Sequence, residues 1–230
     1  MTYDGGGAVA TLAIDDGKVN ALSPAVLEAL IAGLDRAESE EAAVLLTGRP
    51  GYFTAGFDLK VFEQGGDELV RMLELGAILS RRILAFPRPV VIAASGHALA
   101  AGAFLLLAAD LRIGTAGPFR VGLNEVEISL TMPWFVVELA RHRLSPRHLD
   151  AAVVHATIYT PEDAIAPGYL DRTVAPDALA AESRAAAEEL AALNTRAFAE
   201  TKQRLRGPAI AAVESGTERM LDELRAAMSG

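Results

Sequence analysis

A strand that turns abruptly into a helix is the strongest constraint that the sequence places on the fold. The apolar run 89–94, rich in β-branched residues, predicts a buried strand. The small residues of 95–102 follow as a tight turn, and the Ala- and Leu-rich run 103–109 predicts a helix. The first amide groups of such a helix lack partners within it, so they can hold a developing negative charge. Alternatively, the small residues serve only to let the helix pack closely on the strand.

A second small-residue loop, 55–60, has a similar setting. It follows a strand-like segment at 43–48 and a turn at 49–51. Two loops of this kind could each donate one backbone N–H to a single carbonyl oxygen, which is the arrangement of an oxyanion hole.

Taken together, the landmarks along the chain resemble the crotonase superfamily of enoyl-CoA hydratases and isomerases. No single motif is decisive, but their order and spacing cover nearly the whole chain. The resemblance implies an α/β fold, a crotonase-like spiral of stacked β-β-α turns with a C-terminal helical region. The matching segments are Asn20-Ala21-Leu22, Leu46-Thr47-Gly48, Ala55-Gly56-Phe57-Asp58-Leu59-Lys60, Pro87-Arg88-Pro89-Val90-Val91, Gly96 to Gly102, Asp110-Leu111-Arg112, Gly122-Leu123-Asn124-Glu125 and Pro161-Glu162-Asp163-Ala164.

Within that superfamily the carboxylates distinguish the reactions. Hydratases use two glutamates, and this chain resembles them only at the second, Glu125, because Phe104 stands where the first would be. The segment Met132-Pro133-Trp134-Phe135 is more similar to the mitochondrial Δ3,Δ2-enoyl-CoA isomerases. The resemblance therefore implies isomerisation of 3-enoyl-CoA to 2-enoyl-CoA in fatty-acid oxidation, with Glu125 moving one proton.

The same resemblance implies the other site residues. The backbone N–H groups of Phe57 and Ala101 would hold the thioester oxygen. Ala55, Phe57, Lys60 and Ala101 would contact the acyl-CoA, with Lys60 the best candidate for its phosphates, although an ordinary exposed lysine is the alternative. No separate cofactor is expected, because coenzyme A is part of the substrate.

Other interpretations of the same residues stay open. Glu125 follows a Gly-Leu-Asn turn, where a glutamate often begins a helix or simply lies at the surface. The function itself has two alternatives, an enoyl-CoA hydratase that tolerates the loss of one glutamate and a non-catalytic acyl-CoA-binding homologue. His97 is expected to hydrogen-bond its loop rather than to catalyse. The acyl-tail pocket is expected to include Phe62, Met72, Phe104 and Trp134.

Composition excludes several classes of protein. The formal charge of −9, without a cluster of Lys and Arg, argues against a nucleic-acid partner. The chain has no cysteine, and its four histidines show no metal-binding spacing, so we expect no metal. We recognise neither a signal peptide nor an apolar run of membrane-spanning length, and we predict a cytoplasmic protein without a membrane partner.

Helical periodicity and breakers outline the rest. Residues 8–14 predict a strand with a possible hairpin at 15–17, and Ser23-Pro24 begins a helix that reaches about Ala37. We expect residues 1–194 to form the core with the acyl-CoA site, and residues 195–230 to form an oligomerisation region of helices split at Gly207-Pro208. The resemblance implies a homotrimer or hexamer. Lys202, Arg204 and Arg206 are expected on a solvated helix face, or else to help hold phosphate.

Overall fold

A mixed sheet, a smaller parallel sheet and eight helices make up the computed structural model, which describes residues 1–229. The strands are β1 (Thr2–Asp4), β2 (Val9–Ala13), β3 (Ala43–Thr47), β4 (Gly51–Thr54), β5 (Val90–Ala94), β6 (Gly96–Leu99), β7 (Leu111–Thr115), β8 (Val121–Gly122) and β9 (Arg172–Val174). The helices are α1 (Pro24–Ser39), α2 (Leu59–Gln64), α3 (Gly66–Ala85), α4 (Ala101–Ala108), α5 (Trp134–Arg143), α6 (Leu149–Val153), α7 (Leu179–Ala191) and α8 (Thr195–Ser229), with a short 3-10 helix at Pro146–His148.

The chain repeats one unit of two strands followed by helix. In each unit the first strand joins a six-stranded sheet of order β1-β2-β3-β5-β7-β9, and the second joins a three-stranded sheet of order β4-β6-β8. Thus β3 and β4 precede α2 and α3, β5 and β6 precede α4, and β7 and β8 precede α5. All pairings are parallel except β1 with β2. The predicted spiral of β-β-α turns is confirmed.

The central strands are buried on both faces, as their continuous apolar sequences require. Val44 and Ile92 point into the main core beneath α1, α3 and α4. Alternate residues such as Leu45 and Val91 instead form a smaller cluster under α7. The sheet therefore separates two apolar layers, and the main one extends to the ends of the strands that carry the site.

The predicted start of α1 is confirmed, because the Ser23 hydroxyl accepts a hydrogen bond from the Val26 amide and Pro24 is the first helical residue. The hairpin suggested at 15–17 is wrong. That segment leads to α1, and the hairpin partner of β2 is β1, on the other side of the glycine run 5–7.

The predicted split of the C-terminal helix at Gly207-Pro208 is also wrong, because α8 is continuous from Thr195 to Ser229. A proline inside a helix removes one hydrogen bond and costs about 3 kcal/mol. Tertiary packing offsets this cost, since α8 lies against α3 and α5 and buries Arg206 before the proline and Val213 after it. No helix within residues 1–229 combines the length and apolarity needed to span a membrane.

The basic residues near the start of α8 are not a solvated face. Lys202 and Arg206 are buried and pair with Asp110, at 2.7 and 2.9 Å respectively. Arg206 also donates to the carbonyl of Ala108, one of the free carbonyls at the C-terminus of α4. The expectation of a solvated face is therefore wrong for these two residues, whereas the alternative of a role in holding phosphate stays a prediction. Arg204 is exposed as predicted, within reach of Glu200.

Candidate active site

The turn before α4 is shorter than the predicted turn at 95–102. Residues 96–99 form strand β6, and α4 begins at Ala101. Ala100 ends this turn with φ of 47° and ψ of −116°, a conformation that a residue with a Cβ rarely adopts. Its N–H donates to the carbonyl of Gly122 at 3.1 Å. Gly102 lies close to the end of β4, where a Cβ would come within 2.7 Å of the Thr54 carbonyl oxygen. The small residues therefore serve close packing as well as presenting Ala101 as the first residue of α4.

The loop 55–60 meets this turn at Gly56. Its φ of 104° suits glycine, and a Cβ there would lie 2.9 Å from the Cβ of Ala100 and 3.3 Å from the amide nitrogen of Ala101. The two loops singled out in the sequence are therefore neighbours in space.

Both predicted oxyanion donors have free amide groups. Gly56 and Asp58 bond through their backbones to Leu22, which turns the intervening N–H of Phe57 to the opposite side. Among the hydrogen bonds of residues 1–229, neither the Phe57 nor the Ala101 N–H has an acceptor. Free donors on adjacent loops are what an oxyanion hole requires.

Strand β8 places Glu125 next to these loops. Leu99 pairs with Gly122 across the small sheet, and the chain then enters a compact turn. In that turn the carbonyl of Glu125 accepts the N–H groups of Ile128 and Leu130, at 3.1 and 2.8 Å. The backbone at Glu125 is thereby fixed, while its carboxylate stays available.

The Glu125 side chain lies in an apolar cavity. The residue is only 6% exposed, and within the described chain its Oε2 atom is buried without a hydrogen-bond partner. Burial raises the pKa of the Glu125 carboxyl group to about 7. Hydrogen bonding to the backbone of Glu125 itself and of Asn124 has a smaller effect that lowers the pKa. The carboxyl group can therefore gain or lose a proton near neutral pH, which is a property of a general base.

The cavity has a volume of about 1030 Å³ and almost entirely apolar walls. The ring of Phe104 packs 5.6 Å from that of Phe57, so position 104 contributes an aromatic surface and no second carboxylate. Glu223 of α8 also reaches the cavity, but its side chain is 59% exposed. The walls comprise Phe57, Phe62, Leu69, Leu73, Phe104, Glu125, Val126, Leu130, Thr131, Met132, Pro133, Trp134, Val137, Val153, Val154, Met220, Glu223 and Leu224.

Several sequence expectations about this cavity can be compared with its walls. Phe62, Phe104 and Trp134 line the cavity as predicted, whereas Met72 is fully buried in the main core and does not. Ala55, Lys60 and Ala101 lie outside the walls. The Ala55 N–H donates to the Val19 carbonyl at 3.0 Å, and the Lys60 side chain is exposed.

His97 has the predicted structural role. Its Nδ1 atom accepts the Arg120 N–H at 3.0 Å, which ties the elbow to the segment before β8. The Nδ1 atom of His97 is therefore engaged in a hydrogen bond with the backbone.

The contribution of the C-terminal helix to the cavity is not predicted by the sequence. Met220, Glu223 and Leu224 of α8 form one wall of the cavity, more than 90 residues from Glu125 along the chain. The position of Tyr169 is not predicted either. This residue is fully buried and close enough to interact electrostatically with Glu125. Only the apolar spacing of α8 could have indicated a buried face, and nothing in the sequence relates it to Glu125.

Comparison with known proteins assigns the family. The family model for enoyl-CoA hydratase/isomerase matches residues 4–224, and the chain belongs to this family. A solved structure of an enoyl-CoA hydratase/isomerase family protein from Pseudomonas syringae is 41% identical, with a TM-score of 0.94 and 97% of each chain covered. The crotonase fold predicted from the sequence is thus confirmed.

The names of the relatives include both reactions. A Mycobacterium tuberculosis protein is described as an enoyl-CoA isomerase in one solved structure, which is 37% identical, with a TM-score of 0.90 and coverage of 98% of this chain and 97% of that one. It is described as a probable enoyl-CoA hydratase in another, which is 36% identical, with a TM-score of 0.94 and coverage of 99% and 97%.

Curated relatives show the same division. A probable enoyl-CoA hydratase of Bacillus subtilis is 34% identical over 148 residues, which are 63% of this chain and only 55% of that protein. Human mitochondrial enoyl-CoA delta isomerase 1 is 26% identical over 214 residues, 88% of this chain and 69% of that one. The choice between the two reactions therefore depends on the residues of the site.

Proposed function

We propose that this protein isomerises 3-enoyl-CoA to 2-enoyl-CoA in fatty-acid oxidation, with Glu125 as the only proton-transferring group. The observation that carries the proposal is a single buried carboxyl group in an apolar cavity, with its pKa near 7. By resemblance to the hydratases, the other carboxylate would occupy position 104, where this chain has a phenylalanine.

The reaction needs one base and one oxyanion site. Ionised Glu125 removes a proton from C2 of the acyl chain, and the electrons of the broken C–H bond extend over the adjacent double bond as a dienolate. The N–H groups of Phe57 and Ala101 stabilise the negative charge on the thioester oxygen. Protonated Glu125 then returns the proton to C4, which leaves the double bond between C2 and C3 and restores the carboxylate.

Hydration of 2-enoyl-CoA is the second candidate, because relatives at 34–36% identity carry that name. A hydratase would need a second group to handle the proton of water. Among residues 1–229, Glu223 is the other carboxylate on the cavity, but it accepts hydrogen bonds from Trp134 at 3.0 Å and its side chain is 59% exposed. That environment favours a structural role, so the isomerase proposal is preferred.

Supplying 3-hexenoyl-CoA and crotonyl-CoA separately, and following the absorbance of the conjugated thioester, tests the proposal. We expect absorbance to rise with the first substrate and to change little with the second. Glu125→Gln should lower the isomerisation rate by about 10²–10⁴, the range for loss of a general acid–base group. Glu127→Gln is the matched control, because Glu127 is an exposed acid two positions along the same turn.

The outcomes separate the three candidates. Rapid hydration of crotonyl-CoA would replace the isomerase by the hydratase. Binding of both thioesters without conversion would favour the non-catalytic homologue. An isomerisation rate that Glu125→Gln leaves unchanged would remove Glu125 from the mechanism.

A further inference from the structure

Three side chains from two helices meet on one wall of the cavity and form what we call the clamp: Trp134 of α5, with Arg219 and Glu223 of α8. The indole Nε1–H donates to both carboxylate oxygens of Glu223, each at 3.0 Å. The Arg219 guanidinium lies 3.5 Å from the centre of the indole ring and its Nε is 3.4 Å from Glu223. Each member therefore contacts the other two, through a hydrogen bond, an ion pair and a cation–π contact.

The clamp lies next to a close approach of the two helices. At Gly216 a Cβ would come within 2.9 Å of the Phe135 amide nitrogen and 3.0 Å of the Trp134 carbonyl carbon, so α8 touches the start of α5 there. Arg219 and Glu223 follow one and two turns later on α8. The clamp thus holds the part of α8 that continues beyond this contact.

That part of α8 supplies an apolar wall. Met220 and Leu224 line the cavity beside Glu223, and Trp134 lines it from α5. Glu125 is buried, whereas the Glu223 side chain is 59% exposed, so the clamp marks the side of the cavity nearer to solvent. Glu125 and the clamp line the same cavity of about 1030 Å³, so an acyl chain whose reacting carbons lie at Glu125 can extend through it toward the clamp.

We propose that the clamp determines the acyl-chain length that this site prefers, by holding Met220 and Leu224 against the far end of a long chain. This inference rests on the proposed function only in assigning the cavity to an acyl group. Each methylene buried against a fixed apolar wall contributes about 0.8 kcal/mol, or about fourfold in affinity. Chains too short to reach the clamp gain nothing from it.

The sequence provides a direct probe, because Trp134 is the sole tryptophan. Saturated acyl-CoA thioesters of two to twelve carbons bind without turnover, and their arrival at the clamp can be followed by intrinsic fluorescence, with affinities from calorimetry. We expect short chains to leave the emission unchanged. Beyond a threshold length the emission should shift to the blue, and the Kd should fall about fourfold per methylene.

Glu223→Ala tests the clamp, because it deletes the carboxylate that contacts both Trp134 and Arg219. Glu218→Ala is the control, because Glu218 is an exposed acid of α8 that does not line the cavity. Glu223→Ala should weaken dodecanoyl-CoA at least tenfold and change acetyl-CoA less than twofold. Glu218→Ala should change neither. Arg219→Gln is a second variant that leaves the indole–carboxylate hydrogen bond in place, and we expect a smaller loss confined to long chains.

The results discriminate clearly. An equal loss at all chain lengths in Glu223→Ala, an emission change already present with acetyl-CoA, or no binding of any thioester would overturn the clamp proposal. Chain-length dependence in a protein that does not isomerise 3-hexenoyl-CoA would instead support the clamp and refute the proposed reaction.

Discussion

Replacing Glu125 with glutamine should stabilise the folded protein at alkaline pH, although it removes the proposed base. Burial raises the pKa of Glu125 from 4.5 to about 7. Between these values the folded protein binds more protons at this site than the unfolded chain does, so its stability decreases as pH rises from about 4.5 to 7 and then levels off. At 1.36 kcal/mol per pKa unit, the full penalty for the buried carboxylate is about 3 kcal/mol.

The glutamine variant has no such titration. Its free energy of unfolding should therefore exceed that of the wild type by about 3 kcal/mol at pH 8, but by less than about 1 kcal/mol at pH 5. Burying an amide adds a cost of its own, which is the same at both pH values. The change of about 2–3 kcal/mol between pH 5 and pH 8 is therefore the quantity to measure.

Guanidinium unfolding of both proteins at the two pH values measures this change, with Glu127→Gln as the control. Glu127 is exposed, so its replacement should alter stability by less than about 0.5 kcal/mol at either pH. A Glu125→Gln effect that is the same at pH 5 and pH 8 would refute the argument, since it would mean that Glu125 titrates alike in the folded and unfolded chains.

The pKa of Glu125 also predicts that kcat/KM for isomerisation rises with pH to a plateau, with a midpoint near 7, and a midpoint near 4.5 would contradict this. Gly56→Ala should push the two amide-bearing loops apart and lower kcat about 10²-fold. Gly65→Ala, at a similarly positive φ in open space, should leave kcat unchanged, and equal losses would argue against the loop geometry. Asp110→Ala should destabilise the protein by about 3–5 kcal/mol in urea unfolding, because it leaves two buried cations of α8 unpaired. Asp222→Ala, at an exposed position, should cost less than about 0.5 kcal/mol, and similar midpoints for both variants would contradict a role for the buried pair.

Local patterns were enough to predict the elements that form the core of the site. Strand β5 and helix α4 are apolar throughout, and α1 has both a serine cap and an initial proline. These signals act within a few residues, so they can be recognised from the sequence. The short strands β4 and β6 were missed because four-residue segments with glycine and mixed polarity give no clear period.

Long-range pairing explains the remaining differences. A buried lysine or arginine on α8 cannot be told from an exposed one by sequence, because its partner, Asp110, is 92 residues from Lys202. The exposure of Ile128 is a second property that the sequence does not predict. Apolar residues alternate along the sequence after Glu125, a pattern that places Val126, Ile128, Leu130 and Met132 on one face. In the structure three of them line the cavity, whereas Ile128 does not and is 43% exposed. The turn at 124–129, with Ser129 at φ of 63°, replaces the simple alternation.

The pairing of Asp110 with α8 also bears on how the protein is made. The Asp110 carboxylate and the free carbonyl of Ala108 at the end of α4 receive buried cations from residues 202 and 206. Until those residues leave the ribosome, the Asp110 carboxylate of a nascent chain stays exposed to water, and α8 cannot cover the main core. A ribosome stalled before residue 200 would therefore present a chain that chaperones and proteases can engage.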